Sequence, residues 1–276
     1  MNINCIPVKS VIGAKSDSKI LNFSSKKRAI SEIVTFLSSE FNISITEDAG
    51  IVKGFKRDAS NMRGRANAVC RPSNDKECAL ILRCCHKSEI QTTISAGRTN
   101  LTGSATPGGG LIVSMEKMIN PRPKVSTSSK TVISPVGLFL EDMRLEVLKQ
   151  SNNQLCYPVD PTSRKEAMVG GTIACNASGF TPGPKGATRY WTEYLEFITP
   201  NGYKICCKRG QYKSKNSEFI IRFPDKNVNL KVPNYSTPKI KNASGPFSSE
   251  DGEMDLVDFL VGSEGIFGLI TLAKFR

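Results

Sequence analysis

Apolar residues recur with a helical period in several stretches of the chain. Within residues 29–41, the side chains of Ile30, Ile33, Val34 and Leu37 are three or four positions apart, so they fall on one face of a helix. A helix with one apolar face buries that face against another element. This stretch therefore predicts an amphipathic helix near the N-terminus.

Three further helices are predicted downstream. Asn74 and Glu77 have the spacing of a capping box, which predicts a helix that continues to about residue 87. The apolar positions of residues 138–150 predict another helix, with Leu138, Met143 and Leu148 among its apolar residues. A short helix is predicted over residues 254–260.

Short apolar or alternating runs predict the strands of the fold. They cover residues 66–70, 91–95, 111–115, 131–134, 193–199, 203–208 and 266–275. The two runs on either side of Pro200, Asn201 and Gly202 predict a hairpin, because these residues favour a tight turn. By contrast, residues 210–247 are basic and lack periodicity, which predicts an insertion or a mobile loop.

The order of these elements predicts the organisation of the chain. Residues 1–53 are expected to form a helical lead-in. The series strand, helix, strand, glycine-rich loop and strand that follows is typical of an α/β half-domain. A connection rich in Pro and Ser over residues 120–130 then predicts a change of subdomain. We therefore expect one domain over residues 54–276, with an internal break near residues 120–130.

Composition excludes several classes of protein. The chain has 276 residues, of which 39% are hydrophobic and 23% charged, as in globular proteins. No apolar run approaches the length of a membrane span, and the N-terminus lacks the order of a secretory signal. The net charge of +13 suggests nucleic acid as a partner, but the Lys and Arg residues are diffuse and not interleaved with aromatic residues. A solvated basic surface, with no nucleic-acid partner, is the preferred interpretation.

The cysteines indicate a reducing compartment. There are nine, an odd number, and they do not form two C-x-x-C pairs with the spacing of a zinc site. Reduced thiols that mostly fill the core are therefore expected, in a cytoplasmic protein. No metal site is predicted.

The segment from Ser95 to Ser104 is the strongest candidate for chemistry. It follows the predicted strand 91–95 and supplies two glycines, hydroxyl groups and an amide over a short length of chain. A glycine-rich turn after a strand can direct several backbone N–H groups at a phosphate or pyrophosphate. Its spacing is neither that of a P-loop nor that of the dinucleotide fingerprint. By itself the segment is equally compatible with an ordinary loop.

Two other glycine-rich regions follow this loop, over residues 157–189 and 261–271. In this order and at these separations, the three regions resemble the FAD-binding domain of the vanillyl-alcohol oxidase / p-cresol methylhydroxylase flavoprotein family. The branch that they resemble contains the glycolate oxidase large subunit and D-lactate dehydrogenase. The resemblance covers roughly residues 54–276. It implies an α+β fold, the two-subdomain FAD-binding module of the p-cresol methylhydroxylase type, without the C-terminal substrate domain.

The resemblance also implies which residues bind the cofactor. The residues that match the pyrophosphate loop are Gly97, Arg98, Thr99, Asn100, Leu101, Thr102 and Gly103. Those that match the segments beside the flavin and its ribityl chain are Pro158, Asp160, Pro161, Gly170, Gly171, Ile173, Asn176, Ala177 and Ser178. Those that match the last FAD-contacting turn and strand are Gly262, Gly265 and Ile270.

Two of these assignments carry a physical expectation. Glycine at positions 170 and 171 is expected to let the backbone approach the flat flavin ring, with which a Cβ would collide. Arg98 stands where relatives usually keep a small residue. Its side chain is therefore expected either to turn to solvent or to reach a phosphate.

The mode of attachment follows from the absence of histidine in the loop. Some members of the family bind FAD covalently through a histidine at this place. The single histidine of this chain is His86, on the predicted helix that ends near residue 87, where it is expected to be a surface or half-buried residue. The resemblance therefore implies non-covalent FAD.

The implied activity is that of an FAD-dependent oxidoreductase. A small D-2-hydroxy acid of the D-lactate or glycolate type would be oxidised by hydride transfer to N5 of FAD. In the resembled branch, the base and any metal ligands come mostly from a C-terminal domain, so the catalytic residues stay unassigned and little turnover is expected from this chain. The implied partners are the hydroxy acid and an electron acceptor or a complementary C-terminal subunit.

Other functions stay open at this point. The chain could be a non-catalytic or split flavin-binding subunit. It could equally be the FAD module of an alkyl-glycerone-phosphate synthase, a UDP-N-acetylmuramate reductase or an aldonolactone oxidase, because fold alone does not choose among these activities.

Overall fold

The structure, a computed structural model, describes residues 2–224, 226–233, 238, 240, 242–243, 245, 248 and 252–276. The helices are α1 (Val8–Ile12), α2 (Ala14–Phe23), α3 (Ile30–Phe41), α4 (Ala49–Lys53), α5 (Asp75–Lys87), α6 (Leu140–Gln150), α7 (Val169–Ala174), α8 (Thr188–Trp191) and α9 (Leu256–Leu260). The strands are β1 (Asn2–Asn4), β2 (Ile45–Thr46), β3 (Ala68–Cys70), β4 (Thr92–Ser95), β5 (Leu111–Ser114), β6 (Lys124–Ser126), β7 (Thr131–Pro135), β8 (Thr192–Ile198), β9 (Lys204–Lys208), β10 (Glu218–Arg222), β11 (Asn227–Lys231) and β12 (Leu269–Phe275).

The first sheet has the order β2-β3-β5-β4. Strands β3, β5 and β4 are parallel, and β2 pairs with β3 in the antiparallel sense. Residues 68–70 and 111–114 are all buried, which explains why all of them except Ser114 are apolar, without alternation. Strand β4 lies at the edge of this sheet, and the glycine-rich loop begins at its carboxyl end.

The second sheet has the order β6-β7-β12-β8-β9, and all its pairings are antiparallel. The third sheet consists of β1, β10 and β11. The predicted hairpin of residues 193–208 is confirmed as β8 and β9. The α+β fold class is confirmed.

Helix α5 joins the N-terminal residues to the rest of the molecule. Its N-cap is Asn74, whose side chain accepts a hydrogen bond from the backbone N–H of Glu77 at 3.0 Å. Eight consecutive residues of this helix, 78–85, are buried, and α1, α2 and α3 all contact it. Because β1 also pairs with β10, residues 1–53 share their core and a sheet with later parts of the chain. The domain division at residue 53 stays a prediction.

The prediction for residues 210–247 was wrong in one part. Strands β10 and β11 form an antiparallel pair there, and β1 extends it into a sheet. The side chains of Val228 and Leu230 are partly buried while those of residues 227, 229 and 231 are exposed, so the stretch does alternate with the period of a strand. The alternation is only five residues long, which is why it is inconspicuous in the sequence. Residue 247, where the predicted insertion ends, lies outside the described residues.

Candidate functional site

A cleft lies where elements of the first and second sheets meet, at the carboxyl end of β4. Its described walls are formed by residues 94, 96–100, 104–105, 115, 136, 163, 167–168, 170–172, 174–175, 177, 263–265 and 268–270. The inner wall is apolar, with Met115, Val136, Met168 and Ile270, whereas the mouth carries the loop after β4. A flat, partly apolar ligand with a polar end therefore matches the chemistry of this cleft.

The loop after β4 presents unused hydrogen-bond donors to the cleft. Gly97, Arg98 and Thr99 all line the cleft, and within the described part of the chain their backbone N–H groups donate no hydrogen bond. Arg98 has φ of 56°, in the left-handed region. Successive N–H groups around a left-handed residue form a concave anion-binding nest. The loop is thus suited to a phosphate or diphosphate.

The left-handed backbone of Arg98 has an energetic cost. A residue with a Cβ pays about 1–2 kcal/mol to adopt this conformation, and glycine adopts it freely. Arg98 keeps the conformation because the rest of the loop is fixed. Its carbonyl oxygen accepts a hydrogen bond from the N–H of Ala59 at 3.0 Å.

Gly97 brings the loop into contact with the other subdomain. A Cβ at this position would overlap the carbonyl oxygen of Glu166 and would lie 3.1 Å from Cα of Ala167. Both of these are backbone atoms, so they cannot turn away as a side chain would. Glycine is therefore required here by the packing of one chain segment on another.

Gly170 and Gly171 lie in helix α7, where the sequence suggested a glycine-rich turn. A Cβ on Gly170 would lie 2.9 Å from Cβ of Val136, and one on Gly171 would lie 3.2 Å from Cβ of Ala96. Both glycines line the cleft, but their missing Cβ atoms make room for protein atoms. Close packing of α7 on the residues after β7 and β4 is therefore one reason for glycine here, and direct contact with a flavin ring stays a prediction.

Asp58 holds the far end of the loop. Its carboxylate accepts hydrogen bonds from the N–H of Ser60 at 3.0 Å and of Ala105 at 3.2 Å. Burial by itself raises the pKa of Asp58, but the hydrogen bonds from Ser60 and Ala105 lower the pKa below its ordinary value. Asp58 therefore stays ionised near neutral pH and fixes the loop to the segment that precedes β3.

A hydrogen bond spans the mouth of the cleft. The hydroxyl of Thr102 donates to Oε1 of Glu264 at 2.7 Å, across 162 positions of sequence. Glu264 in turn has its N–H bonded to the carbonyl oxygen of Ala174 at 2.9 Å. The loop after β4, the end of α7 and the turn before β12 are thereby joined.

The structure brings nine of the nineteen assigned residues to the walls of the cleft. These are Gly97, Arg98, Thr99, Asn100, Gly170, Gly171, Ala177, Gly265 and Ile270. The other ten are not among the described lining residues, namely Leu101, Thr102, Gly103, Pro158, Asp160, Pro161, Ile173, Asn176, Ser178 and Gly262. Their binding roles stay predictions.

Several of these ten residues have a visible structural role. Ile173 is fully buried in the core. The side chain of Asn176 accepts from the N–H of Arg189 at 3.0 Å and donates to the carbonyl oxygen of Ala243 at 2.9 Å. The carboxylate of Asp160 accepts from the N–H of Thr181 at 3.1 Å. Each of these side chains therefore has a role in packing or in hydrogen bonding within the protein itself.

Sequence reasoning missed the apolar wall of the cleft and two titratable groups. The apolar wall residues Met115, Val136 and Met168 follow strands or precede a helix and look like ordinary core residues in the sequence. Cys175 and Glu264 lie within segments that were singled out, but as neighbours of glycines. His86, in contrast, is exposed on α5 and does not line the cleft.

We expect a bound cofactor to protect Cys175 from alkylation. Burial, with smaller contributions from the charges of Glu264 and Asp58, raises the pKa of the Cys175 thiol to about 11. Alkylation by N-ethylmaleimide should therefore accelerate about tenfold per pH unit from pH 7 to 9, because the thiolate is the reactive form. At pH 9, saturating FAD should slow it at least tenfold, as measured by mass spectrometry of the Cys175 peptide.

Cys156 provides an internal control for this experiment. It is exposed and does not line the cleft, so FAD should leave its alkylation rate unchanged. Equal rates at Cys175 with and without FAD would show that the cofactor lies elsewhere.

Comparison with known proteins identifies the family. A family model described as an FAD binding domain matches residues 66–207, just over half of the chain. The chain belongs to this FAD-binding family. The match begins just before β3 and ends in β9, so it includes the loop after β4, helix α7 and the second sheet's hairpin. FAD is confirmed as the cofactor.

Curated relatives agree with the predicted branch. A D-lactate dehydrogenase of Anaerostipes hadrus is 27% identical over 85% of this chain and 39% of its own length. The glycolate oxidase subunit GlcD of Bacillus subtilis is 27% identical over 75% of this chain and 36% of its own length. A D-2-hydroxyglutarate dehydrogenase of Xanthomonas citri is 25% identical, again over 36% of its length. This FAD-binding chain thus spans less than two fifths of these relatives.

Solved structures share the fold. A xylooligosaccharide oxidase from Myceliophthora thermophila superimposes with a TM-score of 0.63 at 13% identity, over 90% of this chain and 43% of that protein. An alkyldihydroxyacetonephosphate synthase superimposes with a TM-score of 0.62 at 16% identity, over 91% of this chain and 41% of that protein. The predicted resemblance to the vanillyl-alcohol oxidase / p-cresol methylhydroxylase family is confirmed.

The residues present in the cleft fit FAD. The free N–H groups of residues 97–99 suit its diphosphate, and the apolar wall suits a flat aromatic ring.

No helix in the described part of this chain is both long enough and apolar enough to cross a bilayer.

Proposed function

We propose that this chain is the FAD-binding part of a flavin-dependent dehydrogenase or oxidase that acts on a small D-2-hydroxy acid of the D-lactate or glycolate type. The observation that carries the proposal is the cleft with its unpaired N–H groups, in a chain whose curated relatives are named D-lactate dehydrogenase and glycolate oxidase subunit. Bound FAD would supply an acceptor for hydride at its N5 atom.

The residues of this chain would bind and orient the cofactor. The N–H groups of Gly97, Arg98 and Thr99 would hold the diphosphate, and the apolar wall would keep water from the buried part of the cleft. Of the described lining residues, only Glu264 and Cys175 carry side chains that could accept a proton from a substrate. The carboxylate of Glu264 already accepts a hydrogen bond from Thr102, and burial raises the pKa of the Cys175 thiol, so neither is placed as a base for a hydroxy acid. This supports little turnover by the chain on its own.

FAD would be held non-covalently. No histidine or tyrosine is found among the described lining residues of the cleft, and the thiol of Cys175 has a raised pKa that disfavours the nucleophilic form. The nine free cysteines also fit the proposed cytoplasmic location, because disulfides are rare there.

A partner polypeptide or electron acceptor would cover the mouth of the cleft. Leu101, Ile266 and Met62 are 78%, 74% and 58% exposed, and they belong to the loop after β4, the turn before β12 and the segment beside Gly103. Exposed apolar side chains grouped around a binding site are typical of a surface that another molecule contacts. This supports a complementary subunit in addition to the hydroxy-acid substrate.

An absorbance spectrum and a reduction assay test the proposal. We expect the purified chain to bind FAD with bands in the blue and near-ultraviolet, and acid precipitation to release the flavin into the supernatant. Under anaerobic conditions, D-lactate or glycolate should bleach the bound flavin slowly or not at all. A flavin that stays with the precipitate contradicts non-covalent binding, and rapid bleaching contradicts low turnover.

A second candidate is a non-catalytic or split flavin-binding subunit. It is favoured by the missing base in the described cleft walls and predicts no bleaching by any hydroxy acid, even with excess substrate. The fold shared with alkyldihydroxyacetonephosphate synthase keeps a redox-neutral FAD module as an alternative. A substrate that binds to the FAD-loaded chain without bleaching the flavin would favour the redox-neutral module.

A further inference from the structure

The cleft has a balanced charge before any ligand enters it. Among its described lining residues, Arg98 and Glu264 are the charged side chains, one of each sign. The diphosphate of FAD brings two negative charges into this space. Backbone N–H groups contribute only partial charges, so a full positive charge nearby would strengthen their attraction for the diphosphate, and Arg98 is the described lining residue that has one.

The described residues do not neutralise the charge of Arg98. Within the described residues its guanidinium takes part in no ion pair, and it lies instead with Cζ 4.5 Å from the centre of the Phe55 ring. A second arginine, Arg71, lies 5.4 Å from the same ring centre, but its charge is balanced by Glu116. Of these two guanidinium groups, only that of Arg98 is left available for an anion.

The position of this guanidinium is constrained from both ends. At the backbone, φ of 56° and the hydrogen bond from Ala59 N–H fix the direction in which the side chain leaves the loop. At its tip, the nearly buried ring of Phe55 provides a face on which the cation rests. A strained residue that the surrounding structure holds in place is typical of ligand clamps.

We propose that Arg98 is the charge partner of the FAD diphosphate, that Phe55 positions it, and that the pair makes the cleft selective for flavins that carry a diphosphate. This inference rests on the proposed FAD site. It assigns the side chain of Arg98, and not only its backbone, to binding. It also places Phe55, which does not line the cleft, in the same function.

Binding of FAD and riboflavin to Arg98→Gln tests the proposal. We expect the dissociation constant for FAD, measured by flavin fluorescence, to rise at least tenfold, and that for riboflavin, which has no phosphate, to change less than twofold. Raising the salt concentration should weaken FAD binding more in the natural chain than in the variant, because one charge pair has been removed. Arg98→Lys should recover part of the affinity.

Two further variants separate charge from folding. Arg98→Gly suits the left-handed backbone, so it keeps the loop shape and should lose FAD affinity as Arg98→Gln does. Arg63→Gln removes an exposed charge from the neighbouring segment and should leave FAD affinity within twofold. Thermal unfolding of each variant confirms that it is folded.

A double-mutant cycle tests the role of Phe55. Phe55→Leu should weaken FAD binding when Arg98 is present and have no further effect in Arg98→Gln, because the ring would act through the guanidinium. Equal FAD affinity in the natural chain and Arg98→Gln, or an equal loss for riboflavin, would overturn the proposal. Failure of the natural chain itself to bind FAD would instead overturn the proposed function.

Discussion

Replacing Asp17 with asparagine is expected to lower the free energy of unfolding by about 3 kcal/mol. Asp17 of α2 and Arg83 of α5 form an ion pair at 2.9 Å, with side chains only 4% and 10% exposed. Asparagine would leave the buried guanidinium without a counter-charge, and this loss typically costs about 3–5 kcal/mol. Urea denaturation followed by circular dichroism would measure the change as a lower midpoint.

Two control variants make this experiment specific. Glu40→Gln breaks the ion pair between Lys19 and Glu40, whose side chains are 43% and 39% exposed. Because this pair is exposed, the substitution should lower the free energy of unfolding by no more than about 1 kcal/mol. Replacing Asp17 and Arg83 together by leucine should recover much of the loss, because no buried charge remains. Equal effects of Asp17→Asn and Glu40→Gln would show that the buried pair contributes little.

The same measurement addresses the proposed division at residue 53. Asp17 belongs to the predicted lead-in, and Arg83 lies within residues 66–207, which match the FAD-binding family. If both parts unfold together, Asp17→Asn should shift one transition and leave its cooperativity unchanged. A separate early transition would show that the lead-in is an independent unit.

Replacing Gly97 with alanine is expected to abolish tight FAD binding and to cost about 1–3 kcal/mol of stability. The new Cβ would overlap the carbonyl oxygen of Glu166, so the loop and the segment before α7 would have to separate. That separation would displace the N–H groups of residues 97–99 from the positions that a diphosphate requires. Isothermal titration with FAD and thermal unfolding would measure both effects.

Gly50→Ala is a matched control for this substitution. Gly50 lies in α4, and a Cβ at this position would lie 3.2 Å from a side-chain oxygen of Asp48. The Asp48 oxygen that caps α4 would shift slightly, but it is on a side chain, so stability should change by less than about 1 kcal/mol and FAD affinity should stay unchanged. Tight FAD binding by Gly97→Ala would contradict the packing argument.

The regular elements with strong local signals could be predicted from the sequence. Helix α5 has its cap at Asn74 as predicted, and helix α3 begins within one residue of its predicted start. The hydrophobic pattern did not predict elements that are short or unusual in composition. Helix α7 contains two glycines, which local preference disfavours, and it is stabilised by packing close to Val136 and Ala96.

The glycine-rich loop after β4, part of which lines the cleft, was also accessible from the sequence, because the glycine-rich segment and the strand before it are contiguous. The contacts that shape the loop were not. Gly97 meets Glu166, Arg98 meets Phe55, and Thr102 meets Glu264, each across at least forty positions of sequence. Such pairings depend on how the two subdomains approach each other, and neither period nor composition contains that information.

The central position of β12 in the second sheet determines when this sheet can form during synthesis of the chain. This strand, residues 269–275, lies at the centre of its sheet, between β7 and β8. The strands of the first sheet all lie before residue 115, so they can pair while the later residues are still being synthesised. The second sheet stays divided until β12 emerges. A ligand that contacts both sides of the cleft can therefore be held only after β12 has been synthesised.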